Sequence, residues 1–240
     1  MRILLLGGTA DGRELAAALG AAGVDLVTSV AGRTSRATGT RVGGFGGVDG
    51  LIDYLLTNQI DAVVDATHPF ASTMTANAAQ ACAATGVPLL RFTRPSWADH
   101  RHSADWIWVP DHDAAAEVAA RAPGRVLLSV GRQPLASYRG LDDALARVAE
   151  WQGGEVSPGT RILQARGPFS FDAELALLSD EKITILVSKD SGGVENSAKL
   201  DAAAQLGVPV VMIARPPLPA GLQEVSSIDD VLHWVEAAHR

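Results

Sequence analysis

Apolar residues in the first half of the chain fall into short runs. Longer stretches between them repeat Ala and Leu at intervals of three and four. Residues 2–6, 24–30, 62–65, 87–92 and 106–109 are strand-like. Nearly unbroken apolar runs of this length suit strands covered on both faces. Residues 11–22 and 72–85 carry helical spacing and stop at Gly23 and Gly86, and a further helix is expected near 51–56. The segment 34–47 is rich in Gly and Thr and reads as a mobile loop. Strands alternating with helices of about 10–15 residues predict a parallel, doubly wound α/β sheet.

The second half repeats the first. Gly86-Val87-Pro88 and Arg94-Pro95 recur 121 residues later as Gly207-Val208-Pro209 and Arg215-Pro216. At the same spacing, the strand before Thr67-His68 falls on residues 183–187, before Ser188-Lys189. Arg2-Ile3-Leu4-Leu5 recurs 123 residues later as Arg125-Val126-Leu127-Leu128. A shared offset predicts two related Rossmann/flavodoxin-like halves, 1–112 and 113–240, with a cleft between them. They would join within 111–124, and a helix over 228–239 would close the chain.

Composition narrows the class. Of 240 residues, 47% are hydrophobic and 20% charged, enough apolar material for a sizeable core and too much for a disordered chain. No apolar run approaches the roughly 18–20 residues that span a bilayer. The apolar opening runs into Gly7-Gly8 without a signal-peptide pattern, and the single cysteine, Cys82, fits a reducing compartment. A soluble, cytoplasmic protein without a membrane partner is expected. With 20 Lys and Arg against 27 Asp and Glu, the net charge of −7 argues against nucleic-acid binding. It also argues against an anionic substrate, unless cations gather locally.

Candidate chemistry clusters at strand ends. The first strand opens into Gly7-Gly8-Thr9-Ala10-Asp11-Gly12. Glycines let backbone approach phosphate, and the following helix N-terminus favours negative charge. The middle fingerprint position is Thr9, so a turn that only caps the strand stays open as an alternative. The next strand ends in Thr28-Ser29-Val30-Ala31-Gly32-Arg33 without a carboxylate, which points to the 2′-phosphate of NADP over the free ribose of NAD. Thr67, His68 and Pro69 follow the third strand, near the reactive end of a bound nicotinamide. His68 reads equally well as a helix-entry residue that bonds backbone.

In the second half, Arg132, Arg166, Lys189 and Arg215 each follow or end a strand, and together they read as a convergent anion site. Arg91 and Arg94 are candidate contributors from the first half. His100-Arg101-His102 and Asp111-His112-Asp113 contain ligand-type residues, but no sequence feature brings them together, so no metal site is expected. Cys82 reads as core. Trp97 either flanks a planar ligand or covers the boundary between halves.

Several segments resemble the precorrin-6A reductase family: the Gly-Gly-Thr turn, Asp65 through Ala71, Arg91 through Trp97, Gln164 through Phe169, Ser188 through Gly193, and Lys199 through Ala202. The resemblance spans nearly the whole chain. It implies hydride transfer from NADPH to a ring double bond of precorrin-6A, giving precorrin-6B in cobalamin biosynthesis, without flavin or metal. Cobalt-precorrin-6A reductases are close relatives, and a non-catalytic tetrapyrrole or nucleotide carrier is the other alternative. It further implies that residues 1–112 bind NADPH through Gly7, Gly8, Thr9, Asp11, Gly12, Ser29, Arg33, Thr67, His68 and Pro69. Residues 113–240 would hold the polycarboxylate tetrapyrrole through Ser188, Lys189, Asp190, Ser191, Gly192, Arg132, Arg166 and Arg215, with Arg94 added from the first half. Lys189 and His68 are the candidate proton donors. The resemblance leaves room for transient contact with neighbouring pathway enzymes.

Overall fold

The computed structural model describes residues 1–32, 40–194 and 196–238. The chain forms two units, one of Met1–Pro95 with Pro216–Arg240 and the other of Ser96–Arg215.

Unit 1 contains β1 (Arg2–Leu6), α1 (Ala10–Ala21), β2 (Asp25–Val30), β3 (Arg41–Val42), α2 (Gly47–Thr57), β4 (Ala62–Asp65), α3 (Ser72–Thr85) and β5 (Leu89–Phe92). Unit 2 contains β6 (Ile107–Val109), α4 (His112–Ala120), β7 (Arg125–Ser129), β8 (Ala144–Val148), β9 (Thr160–Gln164), α5 (Phe171–Asp180), β10 (Ile183–Lys189), α6 (Ala198–Leu206) and β11 (Val210–Ile213). The chain then returns to unit 1 with β12 (Gln223–Val225) and α7 (Ile228–Ala238).

Each unit carries one six-stranded sheet with every described pairing parallel, in the orders β12-β5-β4-β1-β2-β3 and β6-β11-β10-β7-β8-β9. Read from the far edge, the first is the 3-2-1-4-5-6 order of a dinucleotide-binding fold, and the second repeats its 3-2-1-4-5 part in β9-β8-β7-β10-β11, with β6, the first strand of unit 2, at the sixth position. The order reverses between β1 and β4 and between β7 and β10.

Alternation along the strands builds the core of unit 1. Ile3 and Leu5 face Leu15, Leu19, Val231 and Val235 of α1 and α7, while Leu4 and Leu6 meet Leu51, Leu55, Ala78 and Cys82 of α2 and α3. In unit 2, Leu127, Leu145, Leu186 and Met212 pack with Leu178 of α5 and Leu200 of α6.

The repeated tripeptides have a local cause. Gly86 and Gly207 cap α3 and α6 in the left-handed conformation, at φ 72° and 66°. Glycine tolerates that geometry, and the proline two residues on prevents the helix from continuing.

Three expectations change. The 106–109 strand pairs with β11 and so belongs to unit 2, because the chain leaves unit 1 after Pro95, not within 111–124. The helix over 228–238 buries Val231 and Val235 in the core of unit 1, not in the second half. In the expected loop 34–47, Arg41–Val42 pair with β2 and Gly47 begins α2, while residues 33–39 lie outside the described positions.

Candidate functional site

The β1–α1 turn has the build of a phosphate-binding loop. Gly8 adopts φ +123°, which side chains other than hydrogen rarely tolerate. Thr9 caps α1, its Oγ1 accepting from Gly12 N at 2.9 Å and donating to Ala66 O at 3.2 Å. Gly12 lets the helix close on the end of β4. A Cβ there would lie 3.2 Å from Thr9 Oγ1 and 3.4 Å from Ala66 O. Gly12→Ala is therefore expected to cost about 1–2 kcal/mol through crowding, read as a lower denaturant midpoint.

Beside the turn lies a cavity of about 320 Å³, lined by Gly7, Gly8, Gly12, Arg13, Thr28 and Thr40 among others, with no carboxylate among the described residues of its wall. Sequence reasoning alone misses Arg13 and Thr40. Arg13 directly follows the last fingerprint glycine, and that adjacency is the signal that could have found it. Arg33 lies outside the described residues. Ser29 is buried, and its hydroxyl accepts from Arg41 Nη1 at 3.3 Å. Arg41 also donates to Gly43 O and Gly44 O and stacks 3.7 Å over the Phe45 ring.

At the end of β4 a polar knot fixes the next turn. Asp65 and Arg91 are partners in the β4–β5 register and form an ion pair at 2.7 Å, with side chains 0% and 1% exposed. Thr67 donates to Asp65 Oδ1 through its backbone N (3.0 Å) and its hydroxyl (2.7 Å). Arg91 returns bonds of 3.0 Å to Thr67 Oγ1 and to Thr67 O. Thr75, on α3, donates to Asp65 Oδ2 at 2.6 Å. Arg91 Nε is buried without a hydrogen-bond partner.

This knot changes two expectations. Arg91 is enclosed in unit 1, so it does not offer its charge to a ligand. Thr67 turns its amide, hydroxyl and carbonyl inward and acts by holding its neighbours. Asp11 and Arg94, expected to contact cofactor and substrate respectively, pair with each other at 2.7 Å. They border a small pocket with Thr9, Thr67, Pro69 and Thr93.

In unit 2 the four expected cations share one edge of a parallel sheet. Arg132 follows β7, Arg166 follows β9, Lys189 ends β10 and Arg215 follows β11. Each guanidinium has a tether: Arg132 to Gln152 at 3.2 Å, Arg166 to Glu150 at 2.7 Å, and Arg215 Nε to the Asp190 carboxylate at 3.3 Å and its carbonyl at 3.1 Å.

Asp190 is 3% exposed and accepts from Ser96 Oγ (2.6 Å) and Trp97 N (2.9 Å). It shapes the 190–193 turn from beneath, a different role from the ligand contact expected. Ser188 is likewise buried, whereas Ser191 N bonds Lys189 O and Gly192 takes φ +71° in the turn itself. Trp97 is 4% exposed in the core of unit 2 and donates to Gly193 O at 2.8 Å, so it does not flank a ligand.

Near Lys189, His112 Nδ1 and Tyr138 OH are 3.0 Å apart. Burial first, and then the Lys189 charge, hold His112 below its ordinary pKa, while Asp111 and Asp113 pull the other way. In the sequence His112 stands out only as a ligand-type residue without partners, and no spacing signal links it to residue 189.

Residues 2–236 match the family model described as precorrin-6x reductase CbiJ/CobK. The chain is 46% identical over 240 residues to a precorrin-6A reductase of Mycobacterium tuberculosis, covering 98% of this chain and 97% of that one. It is 32% identical over 250 residues to a cobalt-precorrin-6A reductase of Priestia megaterium, covering 96% of each. The solved structure of a CobK precorrin-6A reductase superposes with a TM-score of 0.91 at 41% identity, over 99% of this chain and 97% of the other.

Proposed function

Because the chain belongs to the precorrin-6x reductase CbiJ/CobK family, we propose that it reduces precorrin-6A to precorrin-6B with a hydride from NADPH, in cobalamin biosynthesis. The family is one of reductases, for which a reduced nicotinamide is the electron source. The observation that carries the cofactor half of the reading is the β1–α1 turn beside a cavity with no carboxylate among its described lining residues, in a sheet of dinucleotide-binding order. The residues present fit the group. Gly7, Gly8, Thr9 and Gly12 form the backbone cradle for a pyrophosphate, and Arg13 offers a cation for a 2′-phosphate. His68 and Pro69, held by Thr67, form the nicotinamide end.

Bound NADPH supplies the hydride, and the chain supplies placement. Arg132, Arg166 and Arg215 bind substrate carboxylates, for which tethered guanidinium groups suit paired contacts. Confining two reactants is worth up to about 7–11 kcal/mol, so modest acid–base help suffices. One proton must still reach the carbon next to the reduced one, and Lys189 Nζ, an ammonium at a strand end, holds it. The metal-free substrate is favoured over its cobalt form because identity is higher to the precorrin-6A enzyme than to the cobalt-precorrin-6A enzyme, 46% against 32%.

The deciding assay mixes purified protein and NADPH with precorrin-6A, with its cobalt form, or with neither. Loss of NADPH absorbance is expected with precorrin-6A and not without a macrocycle. Macrocycle binding without NADPH oxidation would make the protein a carrier instead. Faster turnover of the cobalt form would reverse the substrate choice.

A further inference from the structure

The turns that follow β9 and β10 in unit 2 meet at a buried polar cluster that the proposed reaction leaves unused. Lys199, in the first turn of α6, is 6% exposed. Its Nζ donates to Asn196 O at 2.7 Å and lies 4.5 Å from the centre of the Trp97 ring. The edge of that ring holds the same stretch of chain, since Trp97 Nε1 donates to Gly193 O at 2.8 Å. One ammonium and one indole thus fix two carbonyls of the chain after β10.

Arg147, on β8, braces the turn after β9. Its guanidinium stacks 4.3 Å over the Phe169 ring and pairs with Glu174 of α5 at 2.9 Å, the paired side chains being 7% and 3% exposed. Gly167 brings the two turns together. A Cβ there would lie 3.3 Å from the Phe169 ring and 3.6 Å from Asn196 Oδ1. Arg166 belongs to one turn and Ser191 and Gly192 to the other, the segments assigned to the macrocycle.

A charge in this place is costly. Among the described residues, the charged groups facing Lys199 are Arg147 from β8, which repels it, and Glu174 from α5, which attracts it. Asp201, two residues along α6, is taken by Arg101 at 2.7 Å. Burial, and then Arg147, bring the ammonium down to about 7, so it gains and loses its proton near neutral pH. An apolar side chain would fill the space at less cost. What the ammonium adds is attraction for a carbonyl and a ring face, and both weaken when the charge goes.

We propose that Lys199 is a positioning residue for the macrocycle, whose ammonium, clamped between Asn196 O and the Trp97 ring, holds the turn after β10 in its binding conformation against the Arg147-braced turn after β9. This rests on the macrocycle reading under Proposed function and adds to it a residue that touches neither reactant. Loss of the Lys199 proton slackens the turn, and by linkage macrocycle binding draws a proton onto Lys199.

The test is precorrin-6A affinity, read by absorbance titration of the full chain without NADPH. Between about pH 6.5 and 8.5 wild-type affinity should weaken about five- to tenfold, the worth of one buried cation–ring contact. Lys199→Met should bind at the weak end of that range at both pH values, with bound-state turnover and NADPH affinity within about twofold of wild type. Its denaturant midpoint at about pH 6.5 should be no lower than that of wild type, because a buried charge is gone. Weaker binding by a fold no less stable is what a purely structural lysine would not give. Lys199→Gln, which keeps a neutral donor for Asn196 O, should behave as Lys199→Met does.

Calorimetry in buffers of different ionisation enthalpy should show wild type taking up protons on binding at about pH 7.5, and Lys199→Met taking up fewer. A flat wild-type affinity profile overturns the proposal whether or not either variant folds. So does a pH dependence or a proton uptake that survives unchanged in Lys199→Met, or wild-type binding in Lys199→Gln. These outcomes leave the functional reading standing. A wild-type protein that binds no precorrin-6A overturns that reading and the proposal together.

Discussion

Replacing Arg91 with methionine is expected to cost about 3–5 kcal/mol of unfolding free energy, although Arg91 is enclosed within unit 1 and has no ligand to hold. The change leaves the Asp65 carboxylate at 0% exposure without its countercharge. Hydroxyls of Thr67 and Thr75 and the Thr67 amide remain to bond it. They satisfy its lone pairs and not its charge. Buried pairs are usually no more stable than apolar replacements of the same size, so the double change Asp65→Leu with Arg91→Met should recover much of the loss.

Guanidinium unfolding of the four proteins in that cycle should give a coupling energy above about 2 kcal/mol. A single-variant cost below about 1 kcal/mol would mean that the site admits water and the pair is not sealed. The double variant also separates stability from function. With the knot gone nothing fixes Thr67, so NADPH affinity should stay low even where stability returns.

The second large effect is a pH dependence set by Lys199, a side chain outside the proposed chemistry. Lys199 Nζ donates to Asn196 O at 2.7 Å and lies 4.5 Å from the centre of the Trp97 ring. Close by, Arg147 pairs with Glu174 at 2.9 Å and stacks 4.3 Å over Phe169. Burial pushes the ammonium down to about 7, Arg147 adds to the shift, and Glu174 opposes it.

A lysine whose pKa is lower folded than unfolded is protonated more often in the unfolded chain between the two values. Its contribution is fully present above the unfolded value of 10.5 and is lost as pH falls toward about 7. Stability should therefore rise by about 1.5 kcal/mol between roughly pH 7 and 8.5. Lys199→Met should flatten that rise. Cys82, pushed up to about 12 by burial, acts in the opposite sense only as pH passes its unfolded value of 9.0, which closes the clean window. A slope that survives in Lys199→Met would assign the titration to another group.

The alternation of short strands with helices, the glycine turn and the pseudo-repeat were legible because they are local. Apolar run length, helix caps and a repeated tripeptide need no knowledge of which strand lies beside which. What escaped the sequence depends on pairing. Arg91 reads as a candidate contributor to the anion site until the β4–β5 register sets it opposite Asp65. Asp190 reads as a ligand contact until Ser96 and Trp97, more than ninety residues away in sequence, are found bonded to it. The strand ending at Val109 escaped for another reason. Three residues with suitable side chains fit the edge of either sheet, and only its partner β11 shows which one it joins.

The repeated Arg-Pro dipeptides stand where the chain passes from one unit to the other, after Pro95 and again before Pro216. That placement orders events on the ribosome. The strands of unit 2 are complete once residue 213 has emerged, whereas β5 of unit 1 waits for residues 223–225 to cover its outer edge. The unit begun second thus finishes its sheet first. Throughout that interval unit 1 carries an open apolar strand, the state in which nascent sheets pair with the wrong neighbour.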